Sequence, residues 1–381
     1  MKVLHVCRTY LPDSQGGIEE VIRQLCRATD DRVSNTIFSL SPSPKPARIL
    51  VDQTLVVRER SYWAPASCDL GGLRSLSVFR QLAAQADLIH YYFPWPFADV
   101  LHQLARPDTP ALMTYVSDVV RQRGLMPIYQ PLMNRMLHQM RAIVASSDNY
   151  AQSSPVLACP QIRSRLSVIP YGIEDQAQVF GSTKDQPTGG RSPYFLFLGV
   201  LRYYKGLEVL LRAAGLTGAR VLIAGSGPQQ QALQSQAQAM RLANVEWLGF
   251  VDDATKHQLI RDAAAVVLPS HLRSEAFGMV LLEAAMHGRP MISCELGTAT
   301  SFINQDRVTG RVVRPNDPQA LTEAMTEMLE FPSLALEYGR AARRRYLAHF
   351  TAKRMADDYL GLYERVLSRH QIPVAPVPLD R

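Results

Sequence analysis

Two glutamates mark the segment of this chain best suited to chemistry. Glu275 and Glu283 stand eight positions apart in SEAFGMVLLEAAMHGRPMIS (274–293). The first falls in a loop, and the second lies in an amphipathic run over 279–287 that a glycine and a proline close. A helix starting near Gly278 would direct free N–H groups at the loop, which favours a phosphate there. Because carboxylates accept hydrogen bonds from hydroxyl groups, the segment predicts a sugar-nucleotide site.

A second candidate is a cationic loop in FLFLGVLRYYKGLEVLL (195–211). Gly199 ends an apolar run, and Arg202 and Lys205 follow it before a helix begins. A guanidinium acts as a planar fork and an ammonium as a point charge, so the pair can hold a departing diphosphate. A solvated basic loop is the alternative. The position directly after a buried strand favours the functional interpretation.

Paired glycines follow the first predicted strand. Gly16 and Gly17 open a helix in GGIEEV (16–21), where the absence of side chains lets a ligand approach the backbone. A plain strand-to-helix turn is the alternative. The pattern is not Gly-x-Gly-x-x-Gly, which disfavours an NAD-dependent oxidoreductase.

Two further motifs favour structural interpretations. AGSGP (224–228) lacks the Lys-Ser/Thr of a phosphate-binding P-loop and predicts a tight turn. Asp252 and Asp253 predict the start of a helix rather than a metal site, because aspartate favours helix N-caps. Val251, just before them, is placed for a backbone or apolar contact to a nucleotide base.

The elements that must position these residues form two series. Short apolar runs alternate with helical stretches, which is typical of parallel sheets covered on both faces. The polar stretch 175–193 separates the series. The predicted fold is therefore α/β, with Rossmann-like domains at 1–172 and 173–350 and ligands bound in a cleft between them. A helix is predicted over 351–369 and a loose tail over 371–381.

Composition limits the function classes. The 381 residues suffice for two domains, and a net charge of +7 favours anionic ligands or an anionic membrane surface over nucleic acid. Five cysteines without short spacing argue against disulfides or a cysteine metal site and indicate a reducing cytosol. No apolar run approaches the roughly 20 residues that span a bilayer. We therefore expect a cytoplasmic protein that is soluble or lies on a membrane surface.

Taken in order, the Gly-Gly loop, the Gly-x5-Lys-Gly loop and the Glu-x7-Glu pair resemble the retaining glycosyltransferases of family 4. That resemblance implies the GT-B fold, in which two Rossmann-like domains face each other across a cleft and a C-terminal helix crosses back. It implies that Arg202 and Lys205 hold the donor diphosphate, that Glu275 meets the transferred sugar, and that no cofactor or metal is needed. The implied donor-binding residues are Gly16, Gly17, Val251, Phe277, Gly278, Met279, Val280 and Glu283.

Within that family the runs RYYKG, LPDSQGGIEEVI, YFPWPFADVL and ISCELGTATSFIN resemble a subgroup of mannosyl- and rhamnosyltransferases that build lipopolysaccharide O-antigen and common polysaccharide. The resemblance implies a GDP-sugar donor and a polyprenyl-diphosphate-linked saccharide acceptor at the cytoplasmic face of the inner membrane. Many family members carry the arginine where this chain has Val200. Because two residues along an extended segment return to the same face, Arg202 can replace it.

The segment TYVSDVVRQ (114–122) departs from the family pattern Thr-Tyr-His-Ser-Asp. Val116 stands where the histidine near the hexose 6-hydroxyl would be, and Asp118 is a second candidate for sugar specificity. An apolar side chain would leave a buried hydroxyl unpaired, so it suits a sugar with a methyl group at C6. We therefore expect GDP-rhamnose, with GDP-mannose next. Neutral drift at a position that does not contact the sugar is the alternative.

The resemblance also implies a front-face reaction, in which the departing phosphate takes the acceptor proton. Residues 121–141 mix arginines with apolar residues and fit either an anionic membrane surface or a helix that faces the core. Two other functions remain open. A GT-B epimerase or phosphorylase needs a catalytic set or a pyridoxal lysine that the sequence does not reveal. A non-catalytic binding partner would be expected to lose the cationic loop or a glutamate.

Overall fold

A computed structural model describes residues 1–65, 68–119, 124, 126–177 and 193–371, without the side chains of 369–371. It divides into two compact units. Unit 1 consists of Met1–Ala145, Pro155–Ile169 and the chain from Lys353 onward, and unit 2 of Ser146–Ser154 and Pro170–Ala352. The sequence-based division placed 146–154 and 170–172 in the first domain, whereas the structure places them in unit 2. Residues 372–381 of the predicted tail, and most of the predicted linker, lie outside the described residues.

Unit 1 is built on a sheet of order β3-β4-β2-β1-β5-β6-β7-β8, parallel except for β3. Its strands are β1 (Lys2–Val6), β2 (Ser34–Ser41), β3 (Arg48–Val51), β4 (Thr54–Arg60), β5 (Leu88–Phe93), β6 (Ala111–Tyr115), β7 (Ala142–Ala145) and β8 (Leu166–Val168). Its helices are α1 (Gly17–Thr29), α2 (Leu73–Gln85), α3 (Pro96–Ala105), α4 (Met126–Gln139), α6 (Pro160–Arg163) and most of α14 (Ala352–Gln371).

Strand β3 is absent from the sequence-based prediction. It is short and half-exposed, and it pairs antiparallel with β4 through a tight turn at Asp52 and Gln53. Both turn residues have positive φ (46° and 68°), a conformation usually taken by glycine or asparagine. Because neither residue type is present, the sequence carries no hairpin signal there.

A buried polar network joins α14 to the sheet of unit 1. The Nδ1 of His90 lies 2.8 Å from the Tyr363 hydroxyl, and the Thr114 hydroxyl lies 2.8 Å from that of Tyr359. His5 continues the network, with its Nδ1 3.0 Å from the hydroxyl of Tyr92. These groups satisfy one another away from water, so the predicted C-terminal helix is held to unit 1 by specific bonds as well as by apolar packing.

Unit 2 has a parallel sheet of order β11-β10-β9-β12-β13-β14. Its strands are β9 (Tyr194–Leu198), β10 (Arg220–Ala224), β11 (Val245–Gly249), β12 (Ala265–Leu268), β13 (Met291–Cys294) and β14 (Gly310–Val313). Its helices are α5 (Asp148–Ser153), α7 (Leu207–Thr217), α8 (Gln230–Ala239), α9 (Asp253–Asp262), α10 (Met279–Met286), α11 (Ala299–Ile303), α12 (Pro318–Glu330) and α13 (Pro332–His349). This strand order is that of a Rossmann fold.

The predicted strands recur in the structure, although three of them end early. The apolar runs 166–169, 195–200 and 245–251 of the sequence predict strands over their full lengths, but β8 stops at Val168, β9 at Leu198 and β11 at Gly249. Gly199 has φ +146° and Gly249 φ +66°, so the backbone leaves the sheet at each glycine. The loops that carry the predicted site residues therefore begin there.

Candidate active site

The cationic loop and the loop of the first glutamate meet at one point of the sheet of unit 2. The first follows β9 and the second follows β12. These strands are neighbours in which Leu196 pairs with Val266, although the two residues are 70 positions apart in the sequence. Between them the strand order reverses direction. In open α/β sheets ligands bind beyond the carboxyl ends of the strands at such a reversal.

Lys205 and Glu275 form a buried ion pair at this point. The Nζ of Lys205 lies 2.5 Å from Oε2 of Glu275, and the hydroxyl of Ser270 donates to the same oxygen at 2.9 Å. Among the described residues no donor reaches the other oxygen, Oε1. The carboxylate is therefore fixed through one oxygen, and the second can accept a hydrogen bond from a ligand.

Glycines bring the cationic loop against its neighbours. Gly206 has φ +69°, and a Cβ there would lie 1.9 Å from the carbonyl oxygen of Pro269. A Cβ on Gly225 would lie 2.0 Å from the carbonyl oxygen of Gly199, and one on Gly227 would meet Leu201. The AGSGP segment is therefore a tight turn, as predicted, and it supports the loop that carries Arg202 and Lys205.

Arg202 lies beside this ion pair in sequence but is exposed. It precedes a 3₁₀ turn over Tyr203–Lys205. The Lys205 ammonium lies 5.5 Å from the ring centroid of Tyr204, within the range of a cation–π contact. The loop thus has one cation fixed by a carboxylate and an aromatic ring, and a second cation facing solvent.

Helix α10 begins where the sequence predicted. Gly278 precedes it with φ +88°, and a Cβ there would lie 2.8 Å from Leu268. Phe277 and Val280 are buried, and Met279 is half-buried. The N-terminal turn of α10 follows Glu275 directly, so its free backbone N–H groups and its positive dipole end belong to the same loop.

Glu283 lies one turn along α10 and pairs with a lysine that sequence reasoning missed. Lys256 Nζ lies 2.9 Å from Oε1 of Glu283 and also 2.9 Å from Oδ1 of Asp253. The two carboxylates raise the pKa of Lys256 against the opposing effect of its burial. Val251, also predicted to contact the donor, is half-buried at the end of the loop after β11.

The acidic pair after Val251 starts a helix, as predicted. The Asp252 side chain accepts from the backbone N–H of Thr255 at 2.8 Å and caps α9. No group of three or more histidine, cysteine or acidic side chains within the described ranges is arranged to hold a metal ion.

The glycine loop of unit 1 contains a buried carboxylate. Gly16 precedes α1, which begins at Gly17. Glu19 is buried in the first turn and accepts from the hydroxyls of Thr9 and Ser14, each at 3.0 Å. A Cβ on Gly16 would lie 2.7 Å from Oε2 of Glu19, so the glycine permits the carboxylate to fold back over the loop.

The proposed specificity residues follow β6. Val116 donates its backbone N–H to the carbonyl of Phe93 at 3.0 Å, and its half-buried side chain packs against a core cluster that includes Tyr10 and Tyr92. Asp118 accepts from the Tyr115 hydroxyl at 3.1 Å. Val116 therefore has an apolar packing role whether or not it also contacts a sugar. The rest of this segment, 120–122, lies outside the described residues.

Helix α4 shows which apolar side chains of the segment 121–141 face the core of unit 1. Met133, Met136 and Leu137 of α4 are buried in unit 1, whereas Ile128 is exposed. The core-facing alternative accounts for the three buried residues. Arg121, Arg123 and Leu125 lie outside the described residues. No helix within the described ranges combines the length and the apolar character needed to cross a membrane.

Two of the functional candidates, Ser270 and Lys256, were not predicted from sequence. Ser270 follows β12 at the strand reversal, so its position after a buried strand is the one signal that could have identified it. Lys256 lies four residues after the helix cap Asp252 and resembles any exposed helix lysine in sequence. Only its contact with Glu283 distinguishes it.

Comparison with known families covers both halves of the chain. The profile "Glycosyl transferase 4-like domain" matches residues 16–172, and "Glycosyl transferases group 1" matches residues 182–345.

Two relatives match over almost their full lengths. The O-antigen chain mannosyltransferase C of Escherichia coli is 43% identical over 96% of this chain and 99% of its own. The D-rhamnosyltransferase WbpZ of Pseudomonas aeruginosa is 46% identical over 92% of this chain and 93% of its own.

Solved structures agree on the fold. The sucrose-phosphate synthase of Thermosynechococcus elongatus superposes with a TM-score of 0.78 at 20% identity, covering 97% of this chain and 99% of that one. Anabaena HepE in complex with UDP gives a TM-score of 0.75 at 16% identity, covering 96% and 100%. These likenesses confirm the predicted two-domain GT-B architecture.

Proposed function

Because this chain belongs to the glycosyltransferase family whose profiles match its two halves, we propose that it transfers a mannosyl or rhamnosyl group from a GDP-sugar to a lipid-linked saccharide. It is an enzyme, a glycosyltransferase. The named activities of its mannosyltransferase and D-rhamnosyltransferase relatives support the choice of sugar. Transfer proceeds with retention, and the product contributes to O-antigen or common polysaccharide.

The observation that carries this proposal is the convergence of Lys205, Ser270 and Glu275 at the strand reversal of unit 2. The charge on a departing nucleoside diphosphate needs cations and N–H donors that are in place before reaction. Lys205 and the N-terminus of α10 supply both within one loop cluster. A non-catalytic relative has no need of a lysine fixed in this way, and acceptor dependence distinguishes a transferase from an epimerase.

In the proposed mechanism Glu275 orients the sugar rather than attacking it. One carboxylate oxygen is held by Lys205 and Ser270, which leaves Oε1 to accept from a sugar hydroxyl. The acceptor hydroxyl attacks the anomeric carbon from the face that the diphosphate leaves. The departing phosphate oxygen takes the acceptor proton, and Lys205 stabilises the growing negative charge together with Arg202.

Binding of the donor adds a partner to Lys205. In the free protein its ammonium is bonded to Glu275, and an ammonium has three donors. A diphosphate oxygen can therefore bind a second donor of Lys205 without breaking the ion pair. The exposed Arg202 supplies a planar fork for the outer phosphate. Because these cations neutralise the leaving group, no metal is required.

The nucleotide end of the donor is assigned to the other carboxylate. Glu283 is held through Oε1 by Lys256, and its remaining oxygen can accept from the ribose hydroxyls. Val251 and the backbone near it border the base. Gly16 and Gly17 in unit 1 provide backbone that a phosphate or acceptor can approach closely.

The choice between rhamnose and mannose rests on Val116. Its apolar side chain offers no partner to a 6-hydroxyl, which favours a 6-deoxyhexose. The test is competition between GDP-rhamnose and GDP-mannose for one synthetic polyprenyl-diphosphate-linked acceptor, with products identified by mass spectrometry. Val116→His should shift the ratio of kcat/KM values toward mannose. A clear preference of the unmodified enzyme for mannose would refute the assignment of rhamnose.

The reaction itself is tested by release of GDP. We expect release that depends on the acceptor, a product with the donor's anomeric configuration by NMR, and activity that survives EDTA. An epimerase would convert the donor without acceptor, and a binding partner would release no GDP. Complete loss of activity in EDTA would contradict the cationic-loop mechanism.

A further inference from the structure

A large cavity in unit 1 lies beyond the amino ends of strands β6, β7 and β8. Its volume is about 950 Å³. It is bordered by the residues that precede β6, β7 and β8 and by the last turns of α14. Gly16 and Val116 instead follow the carboxyl ends of β1 and β6. Because β6 has five residues, the amino and carboxyl ends of these strands are roughly 16 Å apart.

Arginines dominate the wall of this cavity. Arg106, Arg135, Arg141 and Arg365 come from four separate segments, and all four are exposed. Asp108 is the single carboxylate among the lining residues. Within the part of the chain that the structure describes, none of the four arginines makes an ion pair. The cavity therefore holds an excess of positive charge that the protein does not neutralise.

Several arginines elsewhere in the chain are instead paired with a carboxylate. Arg58 is paired with Asp13 at 2.9 Å, Arg220 with Glu246 at 2.7 Å, and Arg343 with Asp175 at 3.0 Å. An arginine near a carboxylate gains a charge-assisted hydrogen bond. Four unpaired arginines beside a single aspartate repel one another instead, and solvent weakens this repulsion without removing it. A bound anion would remove that repulsion.

A fifth arginine, Arg165, lines the cavity and bonds to the carbonyl end of a neighbouring helix. Arg165 donates to the carbonyl oxygens of Leu137, His138 and Met140 at 3.2, 2.9 and 2.6 Å. These carbonyls stand at the C-terminal end of α4, where the helix dipole is negative and would repel an anion. Arg165 satisfies them and covers that negative end.

We propose that this cavity is a second, non-catalytic binding site for a phosphate-bearing ligand. Guanidinium groups bind phosphate oxygens in pairs, and four of them around one concavity suit a group with two or more negative charges, such as a diphosphate. The volume exceeds that of a single phosphate and lies in the range of sites for nucleotide-sized molecules. The ligand is either a soluble phosphorylated compound or the head group of an anionic lipid.

The site is separate from the proposed donor site, since its lining contains no residue of unit 2 and neither Gly16 nor Gly17. Its test is therefore independent of the proposed function. The probes are inorganic pyrophosphate in equilibrium dialysis, and vesicles of phosphatidylcholine with or without phosphatidylglycerol in flotation. The double variant Arg106→Gln/Arg141→Gln removes two exposed guanidiniums. Arg48→Gln is the matched control, because Arg48 is an exposed arginine on the far edge strand β3.

If the ligand is soluble, we expect the full chain to bind pyrophosphate at this cavity. The double variant should raise the Kd of that binding at least about tenfold, as expected for loss of one or more charged hydrogen bonds. Arg48→Gln should keep it. Lys205→Ala should also keep it, because that substitution affects only pyrophosphate bound in unit 2. A failure of the donor-site proposal would thus appear in the Lys205 variant and leave the cavity component intact.

For a lipid head group we expect flotation with phosphatidylglycerol vesicles, lost in the double variant and kept in Arg48→Gln, with no comparable pyrophosphate component. A response in both arms would mean that either source of phosphate is accepted. The proposal is overturned if the double variant matches the unmodified protein in both arms, or if the unmodified protein binds neither probe. Unchanged thermal unfolding of the double variant shows that it is folded.

Discussion

The two units use their buried polar side chains in different ways. In unit 2, Lys205, Ser270 and Glu275 gather in loops beyond the carboxyl ends of the strands, with one carboxylate oxygen left open. In unit 1, His5 and His90 lie within strands, and both ring nitrogens of each have a partner: a tyrosine hydroxyl on Nδ1, and Asn35 or Thr114 on Nε2. The first group leaves an acceptor oxygen without a donor among the described residues, whereas in the second group both ring nitrogens of each histidine have a partner.

That difference separates activity from stability. A substitution in the first group should act mainly on turnover. Ser270→Ala should change unfolding little, because Lys205 still holds the carboxylate, whereas Lys205→Ala also leaves the Glu275 carboxylate without its cation. A substitution in the second group should lower stability with little change in turnover, because it leaves a buried partner without a hydrogen bond.

The largest effect is expected for Lys205→Ala. Loss of a positioned charge stabiliser should reduce turnover by at least about 100-fold. The measurement is the steady-state rate of acceptor-dependent GDP release. Lys353→Ala, which removes an exposed lysine of α14, is the control and should retain full activity. Near-normal turnover of the Lys205 variant would show that the loop residues of unit 2 do not serve turnover in the way proposed.

A smaller effect, on stability, is expected for Tyr363→Phe. The change removes the 2.8 Å partner of Nδ1 of the buried His90 and leaves that nitrogen only the longer contact of 3.3 Å with the Tyr92 hydroxyl, so it should lower the free energy of unfolding by about 2 kcal/mol. Chemical denaturation measures it, with Tyr62→Phe at an exposed position as control. A fall in turnover with unchanged stability would contradict the assignment of this buried network to stability.

Ser270→Ala should come next. It removes one of the two bonds that fix Oε2 of Glu275, so turnover should fall by about tenfold, the equivalent of one hydrogen bond. Lys205 still holds the carboxylate, which keeps the effect below that of Lys205→Ala. Ser368→Ala on the exposed side of α14 serves as control. A loss as large as that of the lysine variant would mean that Ser270 does more than orient Glu275.

The smallest expected effect concerns pH. Burial lowers the pKa of His5 to about 4, below its value in an unfolded chain. The unfolded state therefore binds the proton first, and the stability contributed by neutral His5 is lost as pH falls from about 6.5 toward 4. Between pH 7 and pH 6 the loss should be below about 1 kcal/mol.

The check is the free energy of unfolding measured as a function of pH. His5→Gln removes the titrating group, so its stability should fall less steeply over this range than that of the unmodified chain. Equal slopes for the two proteins would show that burial of His5 does not control the acid response.

Much of the fold could be read from the sequence, because its signals are local. Apolar runs such as 265–268 and 291–294 are strands buried on both faces, and Gly278 marks the start of α10. Aspartate caps and glycine turns were predicted for the same reason. The hairpin at β3 was missed because Asp52 and Gln53 adopt a conformation that their residue types do not announce.

The sequence by itself determined the order and type of the elements apart from β3, and it identified Arg202, Lys205, Glu275 and Glu283 as residues able to do chemistry, since periodicity and backbone preference act over a few positions. Only the tertiary structure decided that Lys205 meets Glu275, that Lys256 meets Glu283, and that four arginines share one cavity. These contacts join residues that are tens of positions apart. They depend on which strands become neighbours, and no local pattern records that choice.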